Sequence, residues 1–353
     1  MPHTTTIQTP SARRWMRGTA VTAALLAVLA VVGLSPYVIE GPGPAINTLG
    51  EVDGRTIMKV SGRTTYPSAS TLDLTTVSAS GGPGRFVTGF ETIGAWMNPH
   101  LDIVPKEYMY PAGVTVKEQD AQSAVEMTDS QQSAVAAALT ELGIDFGRTT
   151  EVAGLATKAN DAVLKTGDVV TSLDGEPVTD VNSLKSAVQD STGDTVRLGL
   201  LRKGARSAVT ARVAVVAGQR SLGIFVATRY DFPFEVTFGI ENIGGPSAGT
   251  MMALGLIDQL TPGNLAGSLH VAGTGTVTED GQVGAIGGIP QKVVGARRAG
   301  ATVFLAPSAN CAELRGRVPR GMDVYSVSTL HQARTVLTAL GKGKDASAFP
   351  RCG

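Results

Sequence analysis

Two glycine-rich blocks constrain this chain more than any other feature. Gly244-Gly245-Pro246-Ser247-Ala248-Gly249 leads straight into the apolar run TMMALGLIDQL, and Gly287-Gly288-Ile289-Pro290-Gln291-Lys292 leads into VVGARRAG. Each block reads as a tight turn feeding a helix. The 43 glycines of the 353-residue chain concentrate around Gly244–Gly300 without forming a repeat. That distribution implies close backbone approach, not low complexity. The length allows two to three domains.

The blocks place particular chemistry. A hydroxyl at Ser247 sits where a helix begins, so backbone N–H groups and the positive end of the helix dipole lie close to it. Such donors stabilise a developing oxyanion. A serine hydroxyl also needs a base to take its proton. The histidines are His3, His100, His270 and His331, and none lies in a recognisable triad pattern; His270 falls in an apolar, strand-like run. No Gly-x-Ser-x-Gly elbow surrounds Ser247 and no HExxH helix occurs. Lys292 remains as the base. It opens a helix whose positive end disfavours an ammonium, and Ile286, Ile289, Val293 and Val294 surround it with apolar groups. Both effects lower a lysine pKa from about 10.4 toward the useful range. Taken singly, Ser247 also reads as a helix cap and Lys292 as a solvated helix lysine.

Together, the serine block, the lysine block, the intervening VAGTGTVTEDGQVGAIGG and the Ala306-Pro307…Asn310 segment resemble the proteolytic domain of Lon proteases over about 120 residues. The resemblance implies a serine endopeptidase with a Ser247–Lys292 dyad, Thr274 hydrogen-bonding near the lysine, and supporting positions at Gly245 and Ala248. It implies protein or peptide substrates, no cofactor and no metal, and a homo-oligomeric ring of six. Two positions depart from the cytosolic pattern: Gly244 and Thr276 stand where that pattern has acidic residues. Glu241, near the serine block, is a carboxylate able to tune the lysine or a solvated strand-edge group.

Residues 149–217 resemble a PDZ domain of the bacterial protease-associated kind. The likeness rests on Gly167-Asp168-Val169-Val170, the Leu173-Asp174-Gly175 turn and a helix over Val181–Val188. Asp-Gly turns a hairpin, and Leu184, Ala187 and Val188 give the helix one apolar face. Such a domain adds an extended peptide as a strand beside that helix. The carboxylate-binding loop is matched only loosely by Ala153-Gly154-Leu155-Ala156.

At the N-terminus the sequence is uncharged from Gly18 to Ile39, about the 20 residues that cross a bilayer, with Arg13, Arg14 and Arg17 before it and Glu40 after it. The expectation is a single-pass anchor over 18–39, residues 1–17 in the cytoplasm and the remainder outside. A cleaved signal peptide is disfavoured by the poor exit Leu34-Ser35-Pro36-Tyr37. Residues 40–148 are expected to be an extended linker followed by strands over Thr56–Val60 and Ser70–Ser78 and a helix over Gln131–Leu142 capped by Asp129 or Ser130. They pack with the catalytic segment 218–341, and residues 342–353 form a tail. An α+β catalytic domain with an inserted or preceding PDZ domain follows.

Lysine plus arginine equals aspartate plus glutamate at 30 each, which removes any electrostatic reason to expect nucleic acid. The two cysteines, Cys311 and Cys352, are too few and too far apart for a zinc knuckle; outside the cytosol they form a disulfide, otherwise two thiols. No Gly-x4-Gly-Lys-Ser/Thr loop is present, so no ATPase motor is expected. Substrates are then accessible or unfolded segments. A catalytically silent scaffold that recruits clients through its PDZ groove is the alternative.

Overall fold

The protein is described here by a computed structural model covering residues 16–24, 28, 32–52, 54–82, 85–110, 113, 115–240, 244–344 and 346–353. The chain forms two compact units, Met1–Leu142 with Val236–Gly353, and Gly143–Glu235.

The first unit begins with β1 (Leu34–Ser35), β2 (Tyr37–Asn47), β3 (Thr71–Ser80) and β4 (Val87–Thr88), followed by helix α1 (Gly89–Trp96), β5 (Asp102–Pro105), the short helix α2 (Lys106–Met109) and the long α3 (Val116–Glu141). Two expectations are corrected here. Residues 34–39 do not continue an apolar helix, because Leu34 and Ser35 pair with β4 and Tyr37–Glu40 pair with β5. The stretch EGPGPAINTLG is not a linker, since most of it is β2, lying between β3 and β5. Among the described residues no helix is long and apolar enough to cross a membrane.

Two prolines are tolerated in β2 for a local reason. The register against β3 shifts between Pro42 and Ala45, and β5 pairs only as far as Glu40, so one flank of the strand is open where the N–H groups are missing. Helix α3 starts 15 residues before the expected Gln131. Thr115 caps it in a reciprocal box with Glu118: the Thr115 hydroxyl accepts from Glu118 N–H, and the Glu118 carboxylate accepts from Thr115 N–H.

The chain then leaves for the second unit. Its strands are β6 (Gly147–Leu155), β7 (Val169–Leu173), β8 (Glu176–Pro177), β9 (Thr195–Arg202), β10 (Ala205–Arg212), β11 (Ala214–Val216), β12 (Gln219–Ser221) and β13 (Ile224–Asp231), with helix α4 (Val181–Asp190) between β8 and β9. The sheet order is β10-β9-β7-β6-β13. Asp174 and Gly175 both have positive φ, 50° and 95°, and turn β7 into β8 as a two-residue hairpin. Leu184 and Val188 of α4 join Val152, Leu173, Leu198 and Leu200 in a core of the unit's own. The unit extends beyond the expected 149–217 at both ends. Val226 to Asp231 pair with Gly147 to Val152, so the second flank of the module is the strand after residue 217.

Back in the first unit come α5 (Gly249–Leu260), β14 (His270–Gly273), α6 (Ile289–Arg298), β15 (Val303–Pro307), β16 (Asp323–Val327) and α7 (Leu330–Gly341). The six-stranded sheet runs β16-β15-β14-β3-β2-β5, parallel from β16 through β3 and antiparallel beyond. Its parallel part uses β14–α6–β15, a crossover that covers the sheet. The class is therefore mixed, with a parallel half that the α+β expectation did not contain. Every residue of α5 except Gln259 is buried, as expected for a helix apolar on all sides. Burying Met251, Leu254, Leu256 or Ile257 contributes roughly 1.5–3 kcal/mol each.

Residues 350–352 are not a free tail. Ser326 N–H donates to Pro350 O and Cys352 N–H to Val324 O, and Cys311 and Cys352 form a disulfide across a 4.9 Å Cα separation.

Helix α6 lies so close to β2 that a Cβ at Gly295 would meet the Gly43 carbonyl oxygen at 2.6 Å, whereas a Cβ at Gly94 in α1 would meet nothing within 4 Å. Gly295→Ala is expected to destabilise the protein by about 1–3 kcal/mol and Gly94→Ala to stabilise it by up to about 1 kcal/mol in chemical denaturation.

Candidate active site

Ser247 lies in the turn that enters α5, one residue before the helix cap. That cap is Ala248, and it makes no side-chain capping bond. Ser247 is therefore not an ordinary cap serine. The turn is held from outside by α3: Gly245 N–H donates to Ser123 O at 3.3 Å, and the Ser130 hydroxyl donates to Pro246 O at 3.0 Å. Ser130, expected as a helix cap, sits in mid-helix and clamps the serine loop instead.

Glycine is required at both preceding positions. Gly245 has φ +85°, and a Cβ at Gly244 would meet the Ser123 Cβ at 2.7 Å. The second contact explains the departure noted at Gly244, because an acidic side chain there collides with α3.

The loop after β14 is zipped to the same turn. Gly275 N–H donates to Ser247 O at 2.8 Å, Thr274 Oγ1 donates to the same carbonyl at 3.0 Å, and Thr250 N–H returns a bond to Gly275 O at 3.0 Å. Thr276, the second departure, is half-buried, and its carbonyl accepts from Thr250 Oγ1 at 3.2 Å.

Lys292 enters from α6. Gly288, left-handed at φ 67°, caps that helix and Pro290 occupies its first turn, so the chain reverses sharply and buries Ile289–Ala296. Lys292 is 3% exposed. Its Nζ donates to Ser247 Oγ at 2.8 Å and to Thr274 Oγ1 at 3.1 Å. Among the described residues it forms no salt bridge. Burial pushes the amine down to about 8, and the charge of Glu40 opposes the fall. The direction agrees with the sequence expectation; the dominant cause is desolvation by the protein around it.

The structure thus brings together Ser247, Lys292 and Thr274, with Gly245 and Ala248 shaping the turn. Glu40 is not legible as a site residue in the sequence, because it stands at the boundary between the uncharged run and the Gly-Pro-Gly-Pro segment. It lies on β2 opposite Asp102 of β5, and burial, reinforced by Asp102, raises its carboxyl above the usual range. The carboxylate proposed from sequence, Glu241, lies outside the described residues. Next to the lysine, Gln291 is buried and donates from Nε2 to Asp102 Oδ2 at 2.7 Å. His270 opens β14 and pairs through Nε2 with Asp73 Oδ2 at 2.6 Å, at the opposite end of the strand from Thr274. Among the described residues no cluster of His, Cys, Asp and Glu is arranged to hold a metal.

With this geometry in place, comparison with known proteins is decisive for the family. Residues 130–340, more than half of the chain, match the Lon protease (S16) C-terminal proteolytic domain. The chain belongs to that family. It is 36% identical over 156 residues to the Lon protease of Roseiflexus castenholzii, covering 42% of this chain and 19% of that protein. It is 33% identical over 148 residues to Lon protease 1 of Bacillus subtilis, 41% and 18% respectively. A longer match, 27% over 255 residues, joins it to the Lon protease of Syntrophomonas wolfei, covering 68% of this chain and 31% of that one. The chain therefore spans about a fifth to a third of these Lon proteins. Among solved structures, the PDZ domain of the SdrC-like protein of Listeria monocytogenes matches 22% of this chain and 85% of its own, at 21% identity and a TM-score of 0.21.

A lysine held below its ordinary pKa carries a stability signature. Below about pH 8 the amine is charged in both folded and unfolded states, and only the folded state bears the cost of burying it. Between about 8 and 10.5 the unfolded chain alone binds the proton, so stability rises with pH. Lys292→Met is expected to be more stable than the parent at pH 6.5 by about 2–3 kcal/mol, with the advantage fading by pH 10. Thermal melts at the two pH values measure it.

Proposed function

We propose that this Lon-family chain is a serine endopeptidase that cleaves accessible or unfolded protein segments through a Ser247–Lys292 dyad, without ATP. The observation that carries the proposal is the 2.8 Å contact between a buried, weakly basic amine and the Ser247 hydroxyl.

Neutral Lys292 takes the Oγ proton as Oγ bonds to the scissile carbonyl carbon, whose C–O π electrons move to oxygen. Backbone N–H groups of the turn that enters α5 are the donors assigned to that oxyanion; the Thr250 N–H, committed to Gly275 O, is not among them. The tetrahedral intermediate expels the amine, which leaves with the proton held by Lys292. Water, deprotonated by Lys292, then attacks the acyl carbon; the C–Oγ bond breaks, Ser247 Oγ regains the proton from Lys292, and the acid product is released. Thr274 fixes the geometry: its hydroxyl proton is given to Ser247 O, leaving its lone pairs to orient the lysine.

The second unit supplies a place for a client segment. A groove of about 590 Å³ lies between α4 and the edge strand β13, with Leu184, Val188, Leu222, Ile224 and Val226 on its walls and Lys185 and Arg220 among its lining. An extended peptide adding to β13 seats apolar side chains there. Ser221 and Leu222, ahead of β13, line this groove, whereas the loose match to a carboxylate-binding loop at Ala153–Ala156 lies mostly within β6.

The arginines before residue 18 and the uncharged run after them support a single-pass anchor with the catalytic unit outside the cytoplasm. The Cys311–Cys352 disulfide is in keeping with that oxidising side. The run available to the anchor is shorter than 18–39, ending where β1 begins. The ring of six implied by the family resemblance is part of the same proposal.

The test is cleavage of casein by the full chain in detergent. Ser247→Ala and Lys292→Ala are each expected to lose at least about 10³-fold in kcat/KM, and the parent's kcat/KM is expected to rise with pH through about 8 and to be indifferent to ATP. Undiminished cleavage in both variants contradicts the dyad. Failure of the parent to cut any unfolded substrate returns the chain to a scaffold role.

A further inference from the structure

The first unit carries an exposed apolar surface unrelated to the catalytic site. Leu34, Phe86, Phe90, Trp96, Met97 and Tyr108 all project into solvent, Phe90 at 70% and Trp96 at 81% exposure. Six large apolar side chains at one place are far from the scattered singletons of an ordinary surface.

Their location is fixed by backbone bonds. Leu34 and Ser35 pair with Thr88 and Val87, Gly89 N–H donates to Gly33 O at 3.0 Å, and Thr92 Oγ1 donates to Ser35 Oγ at 2.8 Å. Lys106 N–H donates to Pro36 O at 2.9 Å, which fastens α2, and with it Tyr108, to the same point. Both helices are thus tied to residues 33–36, where the uncharged N-terminal run passes into β1 and β2. Helix α1 turns Phe90, Ile93 and Trp96 outward, Ala95 being its only buried residue. Its only charged residue, Glu91, is occupied in the capping box with Thr88, accepting from Thr88 N–H at 2.7 Å.

We propose that this aromatic surface docks into the interfacial layer of the bilayer and holds the catalytic unit against it. The proposal rests on the membrane-anchor reading above. Residues 18–33 number 16 before β1 begins, fewer than the roughly 20 that cross a hydrocarbon core. A short span draws its flank down to the headgroup level. Tryptophan and tyrosine are the side chains that partition there, with an apolar ring and a polar N–H or O–H. A lipid interface therefore matches both the composition of the surface and its position at the exit of the run.

The chain has two tryptophans, Trp15 and Trp96. In the full chain reconstituted into phosphatidylcholine–phosphatidylglycerol vesicles, Trp15→Phe leaves Trp96 as the sole emitter. Lipids brominated high on the acyl chain are expected to quench its emission at least twofold. The complementary Trp96→Phe variant reports Trp15 and hence the anchor. Quenching of Trp15 without quenching of Trp96 overturns the docking and leaves the anchor standing. Quenching of neither overturns both. A blue-shifted Trp96 that bromine does not quench means that the surface is covered by a second copy of the chain, and also overturns the proposal.

Discussion

An amine buried beside a hydroxyl is the constraint around which the first unit is arranged. Lysine is seldom buried without a counter-charge, because its ammonium loses hydration that apolar walls do not replace. Among the described residues, buried Lys292 has only hydroxyl partners at hydrogen-bond distance, and the neutral form is correspondingly favoured. Keeping it there requires α6 to lie flat on the sheet, which the Gly43–Gly295 approach permits, and requires a sharp entry, which Gly288 and Pro290 provide. The serine must be brought to the amine from the other direction. Helix α3 does this by gripping Gly245 and Pro246, while Thr274 and Gly275 hold the Ser247 carbonyl. Glu40 tempers the result: its charge opposes the fall in the lysine's pKa, and Asp102 in turn disfavours that charge.

The second unit uses a different device. Gly147 and Asp231 are paired at the outer ends of neighbouring antiparallel strands, so the points at which the chain enters and leaves the unit are adjacent. A module closed in this way interrupts another fold without holding its two halves apart. Its own core, centred on Leu164, Leu198 and Leu200, draws its buried members from within the unit.

What the sequence made legible follows from how local each signal is. Ser247, Lys292 and Thr274 stand in glycine-rich turns whose backbone needs are visible in the residues beside them. Asp174-Gly175 is legible for the same reason. The strand β2 was hidden because Pro42 and Pro44 argue against pairing, and only the tertiary arrangement reveals that their side of the strand is open where β5 has ended. Glu40 was hidden with it. The long start of α3 was marked by Thr115 and Glu118, a capping pair that was there to be read. The groove-lining Ser221 and Leu222 were missed because the strand after them, β13, follows the module's helix by some 30 residues and pairs back to β6.

The chemistry proposed for Ser247 depends most directly on the ionisation state of Lys292. Carbon-13 NMR of the full chain with lysine labelled at Cε, the resonance being assigned by its loss in Lys292→Arg, follows that state without reference to any substrate. A buried, neutral-favouring Lys292 titrates with a midpoint at about 8, well below the ordinary 10.5. A midpoint near 10.5 would mean that the amine is an ordinary cation at neutral pH, and would contradict the proposal that it serves as the base for Ser247.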